Sequence, residues 1–183
     1  MKPRMQRRKI ILAASSLILL ILISSCAFFD KVSNQDVPAS AKESSSEENS
    51  LFEGVAGLEC VPNVNDYEVA TLIDVVDGDS IKVIVDGKET QVRYIGINTP
   101  EYDSPKRDEA IAATEVNRKL LSGSELYLFK DISNTDKYDR LLRYVVANGK
   151  FINLELVKTG YAESKWYHPD TSCQKVFDSA VLK

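Results

Sequence analysis

Hydrophobic and polar residues alternate along three consecutive stretches in the middle of the chain, a pattern typical of half-buried β-strands. The stretches are Glu68–Val76, Ser80–Asp86 and Glu89–Ile97. Asp-Gly pairs at 77–78 and 86–87 separate them, and such pairs favour tight hairpin turns. The pattern therefore predicts three antiparallel strands in succession.

The following segment, Asp108–Leu121, has a different period and predicts an α-helix. Ala113, Val116 and Leu120 recur at helical spacing. A Ser-Gly pair at 122–123 marks the end of this helix, because glycine adopts the left-handed cap conformation.

Two further strands and two short helices complete the pattern. The strands are Glu125–Lys130 and Leu141–Ala147, the second followed by an Asn-Gly turn at 148–149. One helix is expected to start from an Asn153 cap and end at Thr159, and a last one to cover Cys173–Leu182. Together these elements predict an α+β, mainly β fold: a five-stranded OB-type barrel with an inserted helix and C-terminal helices, an architecture that commonly binds oligonucleotides.

The start of the chain has the features of an export signal. Five Lys and Arg residues lie within the first nine positions, and an apolar run from Ile10 to Ile23 follows, shorter than the roughly 20 residues that span a bilayer. The run ends in Ile-Ser-Ser-Cys, which resembles a bacterial lipobox. Residues 1–25 are therefore expected to be a lipoprotein signal peptide, with Cys26 lipidated; a signal anchor with an incidental cysteine is the alternative.

Residues 26–50 predict a disordered tether. They are rich in Ser, Glu, Lys and Asn and almost free of bulky apolar side chains, so they cannot offset the entropy of ordering. The folded domain is expected at 51–183, with its core at about 68–170. Several acyl chains at Cys26 would anchor the exported protein stably in the cell membrane or outer membrane, because one chain alone binds only marginally.

The exported part of the chain is acidic. Removal of the five basic residues at the start leaves 18 of the 23 in the chain, against 27 acidic residues, so the net charge falls to about −9. Non-specific attraction to nucleic acid depends on basic residues. The charge balance therefore excludes binding driven by overall charge and requires any nucleic-acid contact to be local.

Charged residues concentrate at three predicted strand ends: the turn with Asp77 and Asp79, the segment Val92–Glu101 (VRYIGINTPE) and the segment Asp136–Arg140 (DKYDR). Carboxylate, amide and carbonyl oxygens are the ligands that a hard divalent cation prefers. Arginine offers a planar fork of donors for a phosphoryl group. These segments therefore indicate a site for metal-assisted phosphoryl chemistry.

Arg93 falls on the same side of its predicted strand as Ile95 and Ile97, which predicts that it points into a pocket. The alternative is an arginine that pairs with a nearby carboxylate at the rim of the barrel.

The segments ATLIDVVDGDSIKV, VRYIGINTPE and DKYDR occur in this order between about Glu68 and Asp170. Together they resemble the thermonuclease, or staphylococcal nuclease homologue, family. The resemblance implies a monomeric, calcium-dependent endonuclease that hydrolyses phosphodiester bonds of DNA and RNA, with single-stranded or loosened substrates preferred. It also implies in-line attack of water and 3′-phosphate products.

The resemblance assigns calcium ligands by position. Asp79 resembles a carboxylate ligand, and Thr99 resembles a ligand that acts through its backbone carbonyl. Asn98 stands where the family often has an aspartate; it keeps an oxygen ligand but lacks the negative charge, so weaker calcium binding is expected.

The catalytic residues implied by the resemblance are Glu101, as the general base toward the attacking water, and Arg93 and Arg140, as a clamp on the scissile phosphate. Asp139 stands where many relatives have glycine. The hypothesis is that Asp139 pairs with Arg140 and lowers phosphate affinity.

Three further residues resemble substrate contacts of the family. Lys137 and Tyr138 match a pair that contacts the terminal phosphate and sugar, and Tyr167 lies where the family places an aromatic side chain near the bound base. Solvated loop positions are the alternative for Lys137 and Tyr138. For Tyr167 the alternative is core packing, and the adjacent Trp166 is a second candidate for the stacking face.

The remaining histidine and cysteines carry less information. His168 is the single histidine, and no serine-nucleophile pattern accompanies it, so a surface or loop position is expected. Cys60 and Cys173 remain after lipidation of Cys26, and a disulfide between them is plausible in an exported protein, with two free buried thiols as the alternative. The cysteine and histidine spacing does not favour a zinc site.

A catalytically weak or inactive nucleic-acid-binding OB module on the cell envelope is the main alternative to an enzyme. Such a module would be expected to have lost Arg93, Glu101 or Arg140. All three are present, which favours the enzyme.

Overall fold

The computed structural model describes residues 51–181. The predicted signal peptide, Cys26 and the predicted tether lie outside the described residues. Within residues 51–181, no helix combines the length and the apolar character needed to cross a membrane.

The described part of the chain contains eight β-strands and three α-helices. The strands are β1 (Tyr67–Val75), β2 (Ser80–Val85), β3 (Lys88–Tyr94), β4 (Ile97–Asn98), β5 (Leu126–Phe129), β6 (Leu141–Ala147), β7 (Lys150–Phe151) and β8 (Glu163–Ser164). The helices are α1 (Arg107–Leu121), α2 (Ile152–Lys158) and α3 (Gln174–Ala180), and a 3-10 turn at Leu58–Cys60 precedes β1.

Five of the strands close a barrel. β1, β2 and β3 form an antiparallel meander, β1 also pairs with β5, and β5 pairs with β6. The barrel closes because β6 returns to β3 in parallel. This arrangement, with α1 inserted between the strands and two helices after them, confirms the predicted five-stranded, mainly β barrel of the OB type.

Strand β2 shows why these sequences form the barrel. Ile81, Val83 and Val85 are buried in the interior, whereas Lys82 and Ile84 are exposed on the outside. Burial of each such aliphatic side chain stabilises the fold by about 1.5–3 kcal/mol. The period-two pattern therefore selects both the strand and its inward face.

Strand β3 is shorter than predicted. Arg93 therefore does not share one continuous strand with Ile95 and Ile97, and the argument for its direction from strand alternation is wrong. The strand ends at Tyr94, and Gly96 has a φ of 76°. A Cβ atom at Gly96 would lie 2.6 Å from the ring of Phe177, so the chain needs glycine there. Ile97 belongs to the separate strand β4, which pairs with β8.

The glycine-containing turns fall into two kinds. At 86–87 and 148–149 both residues have positive φ, as a type I′ hairpin turn requires. Neither Asp77 nor Gly78 has positive φ. The prediction of a tight two-residue hairpin turn is therefore wrong at 77–78.

Helix α2 also differs from its prediction. It begins at Ile152 with Phe151 as its N-cap residue, so Asn153 is not the cap. Asn153 is fully buried instead: its Oδ1 accepts from the N–H of Val145 (2.9 Å) and its Nδ2 donates to the carbonyl of Ile95 (2.9 Å). The side chain thereby joins the β6 strand to the loop after β3.

A disulfide links Cys60 to Cys173, which are 113 positions apart in the sequence and whose Cα atoms lie 4.9 Å apart. It connects the 3-10 turn to the residue before α3. Helix α3 is shorter than the predicted Cys173–Leu182 and packs its buried Phe177 against Phe151, with ring centroids 5.5 Å apart.

Candidate active site

A pocket of about 600 Å³ opens where β2 begins and where β3 and β6 pair. It brings together eight of the residues singled out in the sequence: Asp79, Arg93, Asn98, Glu101, Lys137, Tyr138, Arg140 and Tyr167. Thr99 lies directly behind the pocket wall, where its backbone N–H donates to Asp79 Oδ2 (2.7 Å).

The barrel topology positions the two arginines. β3 and β6 run parallel, with Val92 opposite Leu141 and Arg93 opposite Leu142. Arg140 directly precedes β6, so this register brings it to the same end of the barrel as Arg93. Both side chains line the pocket.

The guanidinium group of Arg93 is held by four acceptors. Nη1 donates to the carbonyls of Tyr94 (2.9 Å) and Ile97 (3.0 Å), while Nη2 lies 3.1 Å from both Asn98 Oδ1 and Asp79 Oδ2. The side chain is 12% exposed. Both interpretations of Arg93 therefore hold together, because it lines the pocket and also pairs with a carboxylate.

Asp79 is a buried carboxylate at the base of the pocket. Its Oδ2 accepts from the N–H and Oγ1 of Thr99 (2.7 and 3.1 Å) and pairs with Arg93. Burial raises the pKa of Asp79 to about 6, although the charge of Arg93 opposes the rise, and the charge of Asp77 adds to it. The negative charge of Asp79 is thus incompletely compensated by the protein alone.

The turn before β2 fixes Asp79. Asp77 Oδ1 accepts from the N–H of Asp79 (3.0 Å) and from Ser80 Oγ (2.5 Å). Gly78 has no room for a side chain, because a Cβ atom there would lie 2.7 Å from Thr99 and 2.8 Å from Ala113. Helix α1 therefore packs directly on this turn.

A buried residue of α1, Asn117, supports the turn from behind. Its Nδ2 donates to the carbonyl of Asp77 (3.1 Å), and its Oδ1 accepts from the hydroxyl of Tyr94 (3.0 Å). Burial raises the pKa of Tyr94, so its hydroxyl stays protonated and remains a donor. The buried face of α1 includes this polar residue with Ala113, whereas Val116 is only half-buried.

Arg140 pairs with Asp136. Asp136 Oδ2 lies 2.8 Å from Nε and 2.7 Å from Nη2 of Arg140, while Oδ1 accepts from the N–H groups of Tyr138 (2.9 Å) and Arg140 (3.1 Å). Asp136 therefore fixes the conformation of the loop through Oδ1 and orients the Arg140 side chain through Oδ2.

The β5–β6 loop, which carries Asp136 and Arg140, is anchored to the barrel by Arg143. This arginine is 2% exposed; its Nε donates to Glu68 Oε2 (2.5 Å), and its Nη groups donate to the carbonyl and side-chain oxygens of Asn134 (3.0 and 2.8 Å). A buried charge with several acceptors holds a fixed geometry, because any loosening would leave it unpaired. The β5–β6 loop is thus held in place below the pocket rim.

Lys137 and Tyr138 lie at that rim. Lys137 Nζ is 4.9 Å and the guanidinium carbon of Arg140 is 5.5 Å from the centroid of the Tyr138 ring. Tyr138 is 67% exposed. They are solvated loop residues that also line the pocket, so the two interpretations are compatible.

The segment after α2 contributes Tyr167, His168 and Asp170 to the lining of the pocket. β8 pairs with β4, and the carboxylate of Asp170 accepts from the N–H groups of Ile132 (3.0 Å) and Ser133 (2.6 Å), which ties this segment to the β5–β6 loop. Tyr167 is exposed rather than packed in the core, and its hydroxyl donates to Asn98 Oδ1 (3.2 Å).

Trp166 and His168 flank this tyrosine. Trp166 is exposed, and its Nε1 donates to Asp178 (3.1 Å). His168 is exposed and lines the pocket, as expected for a loop position.

Glu101 differs from the other carboxylates of the pocket. It is exposed and follows Pro100 at the entrance, and its side chain makes no hydrogen bond or ion pair within residues 51–181. Its backbone carbonyl accepts from Ser104 (2.7 Å), which fixes the turn. A fixed backbone with an uncommitted carboxylate suits a group that accepts a proton from water.

Oxygen atoms at the pocket and directly behind its wall are of the kind that a hard cation prefers. No cluster of three or more His, Cys, Asp or Glu side chains in the described part of the chain is suited to a metal. The candidate donors here are instead one carboxylate (Asp79), one amide (Asn98) and one backbone carbonyl (Thr99), all oxygens of the kind that calcium takes, with water to complete the shell. A cation would also compensate the buried charge of Asp79.

Comparisons with known proteins identify the family of this chain. Residues 91–181 match the model of the family described as staphylococcal nuclease homologue. The chain is 35% identical over 136 residues to Endonuclease YncB of Bacillus subtilis, an alignment that covers 72% of this chain and 64% of that protein.

Two staphylococcal proteins named Thermonuclease are also similar. The one from Staphylococcus intermedius is 34% identical over 58% of this chain and 65% of its own length, and the one from Staphylococcus hyicus is 33% identical over 64% and 70%. The chain thus spans slightly less than two thirds of the Bacillus subtilis and Staphylococcus intermedius proteins. The family match and the extent of these alignments show that the chain belongs to the staphylococcal nuclease homologue family.

Proposed function

We propose that this protein is a calcium-dependent nuclease that hydrolyses phosphodiester bonds of DNA and RNA. The observation that carries the proposal is the convergence, in one pocket, of two guanidinium groups, an uncommitted carboxylate and hard oxygen donors. Relatives named Thermonuclease and Endonuclease YncB support the same activity.

Three residues of the pocket have separate roles in the proposed reaction. Glu101 accepts the proton of the attacking water. Arg93, held rigidly by four acceptors, and Arg140 donate to the phosphoryl oxygens, where negative charge grows as the in-line displacement proceeds. Loss of the 5′-oxygen then leaves a 3′-phosphate product.

A bound calcium ion would polarise a phosphoryl oxygen and offset negative charge in the pocket. The residues proposed to hold it are Asp79, Asn98 and the carbonyl of Thr99. The charge balance of the pocket supports the proposal of a cation, because five acidic but only three Lys or Arg side chains line the pocket. A polyanionic substrate would be repelled by this balance without an added positive charge.

The exposed aromatic side chains at the rim favour single-stranded or loosened substrates. Tyr138 and Tyr167 are 67% and 43% exposed, and both line the pocket. Unpaired bases stack on such rings, whereas bases in a duplex stay stacked on each other.

We also propose that the protein is exported and anchored as a lipoprotein through Cys26, and that it acts as a monomer. Export and anchoring are supported by the sequence pattern of the first 50 residues, which lie outside the described part of the chain, whereas the monomer is only what the family resemblance implies. Metabolic labelling with a radioactive fatty acid, with Cys26→Ala as the control, tests the anchor.

The activity is tested with the full-length chain, single-stranded DNA and either millimolar calcium or a chelator. The expected result is cleavage with calcium only, into products that carry 3′-phosphate ends. Intact DNA with retained oligonucleotide affinity would instead assign a nucleic-acid-binding module without catalysis. Loss of both cleavage and binding would reject the proposal.

A further inference from the structure

The side-chain amide of Asn98 has one orientation that suits all its neighbours. Oδ1 accepts from Arg93 Nη2 (3.1 Å) and from the hydroxyl of Tyr167 (3.2 Å), while Nδ2 donates to the carbonyl of Thr99 (3.2 Å). A guanidinium can only donate and a carbonyl can only accept. Exchange of the amide oxygen and nitrogen would therefore break two of the three hydrogen bonds.

This orientation of the Asn98 amide disfavours the binding of a cation. The Thr99 carbonyl is one of the oxygens proposed to bind calcium, yet it accepts an N–H from Asn98. The amide oxygen of Asn98, a second proposed ligand, is directed to two donors. An aspartate at this position would accept from Arg93 and Tyr167 as well, but it has no N–H to place on the Thr99 carbonyl.

We propose that the hydrogen bond from Asn98 Nδ2 to the Thr99 carbonyl, here called the latch, blocks the cation site. The Tyr167 hydroxyl stabilises this closed arrangement by its hydrogen bond to Asn98 Oδ1. Calcium binding requires Nδ2 of Asn98 to leave the Thr99 carbonyl, and the Tyr167 hydroxyl opposes this movement because it fixes the amide oxygen. Tyr167 is thus a positioning residue for a metal ligand. The inference deepens the proposed function at the same pocket and rests on it only for the existence of a cation site.

The latch has a thermodynamic consequence. The closed arrangement must be given up before calcium binds, so its stability lowers the apparent affinity. Removal of the Tyr167 hydroxyl removes one of the three hydrogen bonds that define the closed arrangement. The cation affinity must then rise although no ligand and no charge has changed.

Calcium titration of the full-length chain by isothermal titration calorimetry, without nucleic acid, tests the latch. Tyr167→Phe keeps the ring and deletes the hydroxyl. We expect calcium affinity to rise by about threefold to tenfold, the range that one hydrogen bond supports. Tyr138→Phe is the matched control, because Tyr138 is also an exposed tyrosine of the pocket but its hydroxyl makes no hydrogen bond within residues 51–181, and it should leave the affinity unchanged.

A double-mutant cycle separates the latch from simple charge. Asn98→Asp should raise calcium affinity more than Tyr167→Phe does, since it adds a negative charge and removes the N–H. Addition of Tyr167→Phe to Asn98→Asp should then have little further effect, because no latch remains for the hydroxyl to hold.

The proposal would be overturned by unchanged affinity in Tyr167→Phe, by an equal gain in Tyr138→Phe, or by an undiminished gain when Tyr167→Phe is added to Asn98→Asp. Absence of calcium binding in all variants would also overturn it. Because the readout is binding without substrate, a protein that shows the predicted cycle but cleaves no DNA would contradict the nuclease proposal and leave the latch intact.

Discussion

Arg140 is bound by Asp136, four residues earlier, and not by its neighbour Asp139. Two nitrogens of the Arg140 guanidinium lie within 2.8 Å of Asp136 Oδ2. Asp139 has a φ of 62°, a conformation that suits glycine, and it is exposed. The hypothesis that Asp139 pairs with Arg140 is therefore wrong, and a bound phosphate must share Arg140 with Asp136.

The first prediction is that the ion pair between Asp136 and Arg140 weakens the binding of phosphate by Arg140. Asp136→Asn keeps an Oδ1 acceptor for the loop N–H groups but removes the charge that competes with phosphate, so oligonucleotide affinity should rise by about twofold to fivefold. The gain is small because both side chains are partly exposed. Fluorescence anisotropy in chelator, where DNA is not cleaved, measures it.

Asp139→Asn is the matched control for this experiment. It makes the same chemical change on the same loop, where no ion pair with Arg140 exists. An equal gain in the control would show that overall charge, and not the Asp136–Arg140 pair, limits binding.

The second prediction is a pH dependence of stability. Burial by itself would raise the pKa of Asp136, but hydrogen bonds from Arg140 and from the N–H of Tyr138 outweigh it and lower the pKa below 3.8. A carboxyl with a lowered folded-state pKa contributes stability above its unfolded pKa and loses it as the pH falls through the folded value.

The wild type should therefore be more stable than Asp136→Asn at neutral pH, and the difference should shrink as the pH falls below about 3.8. Urea unfolding of both proteins from pH 7 to pH 3 measures this. A difference that stays constant or grows toward low pH would contradict the assignment.

The third prediction tests the close contact at Gly78. An added methyl group in Gly78→Ala must displace Thr99 or Ala113. Such overpacking costs about 1–3 kcal/mol in the free energy of unfolding. Because Thr99 also orients Asp79, cleavage by the folded enzyme should fall as well.

Gly123→Ala provides the comparison. Gly123 has a φ of 72° with nothing within 4 Å of an added Cβ, so the substitution should cost about 1 kcal/mol through the backbone alone and leave cleavage unchanged. Equal losses of activity in the two variants would mean that Gly78 has no specific role at the site.

The fourth prediction concerns the Cys60–Cys173 disulfide. It closes a long loop whose ends are 113 positions apart, so the Cys60→Ala/Cys173→Ala double variant should lose about 2–5 kcal/mol of unfolding free energy. Treatment of the wild type with reducing agent should produce the same loss. A urea midpoint that neither change moves would contradict a stabilising role.

The sequence predicted those parts of the fold that depend on local patterns. β2 differs from its predicted bounds by one residue, because burial alternates along it, and β6 matches its predicted bounds as a β-branched and aromatic run that ends at an Asn-Gly turn. The pocket residues were recognised because DGD, TPE and DKYDR are short, contiguous motifs. The roles expected for these residues came from the resemblance of the motifs, taken in order, to the family.

The remaining features depend on partners far away in the sequence. Asn153 looks like a helix cap, but its amide is used by Val145 and by Ile95, 58 positions away. Asn117 supports Asp77 across 40 positions. Buried polar residues of this kind satisfy hydrogen bonds that only the assembled barrel creates, so no local pattern reveals them.

The proposed function makes Glu101 the base for cleavage of nucleic acid in this pocket. Single-turnover cleavage of single-stranded DNA in millimolar calcium by Glu101→Gln, compared with the wild type and with Glu115→Gln on the exposed face of α1, tests it most directly. We expect a rate lower by about a hundredfold or more in Glu101→Gln alone, with oligonucleotide affinity retained. Wild-type cleavage by Glu101→Gln would contradict the claim.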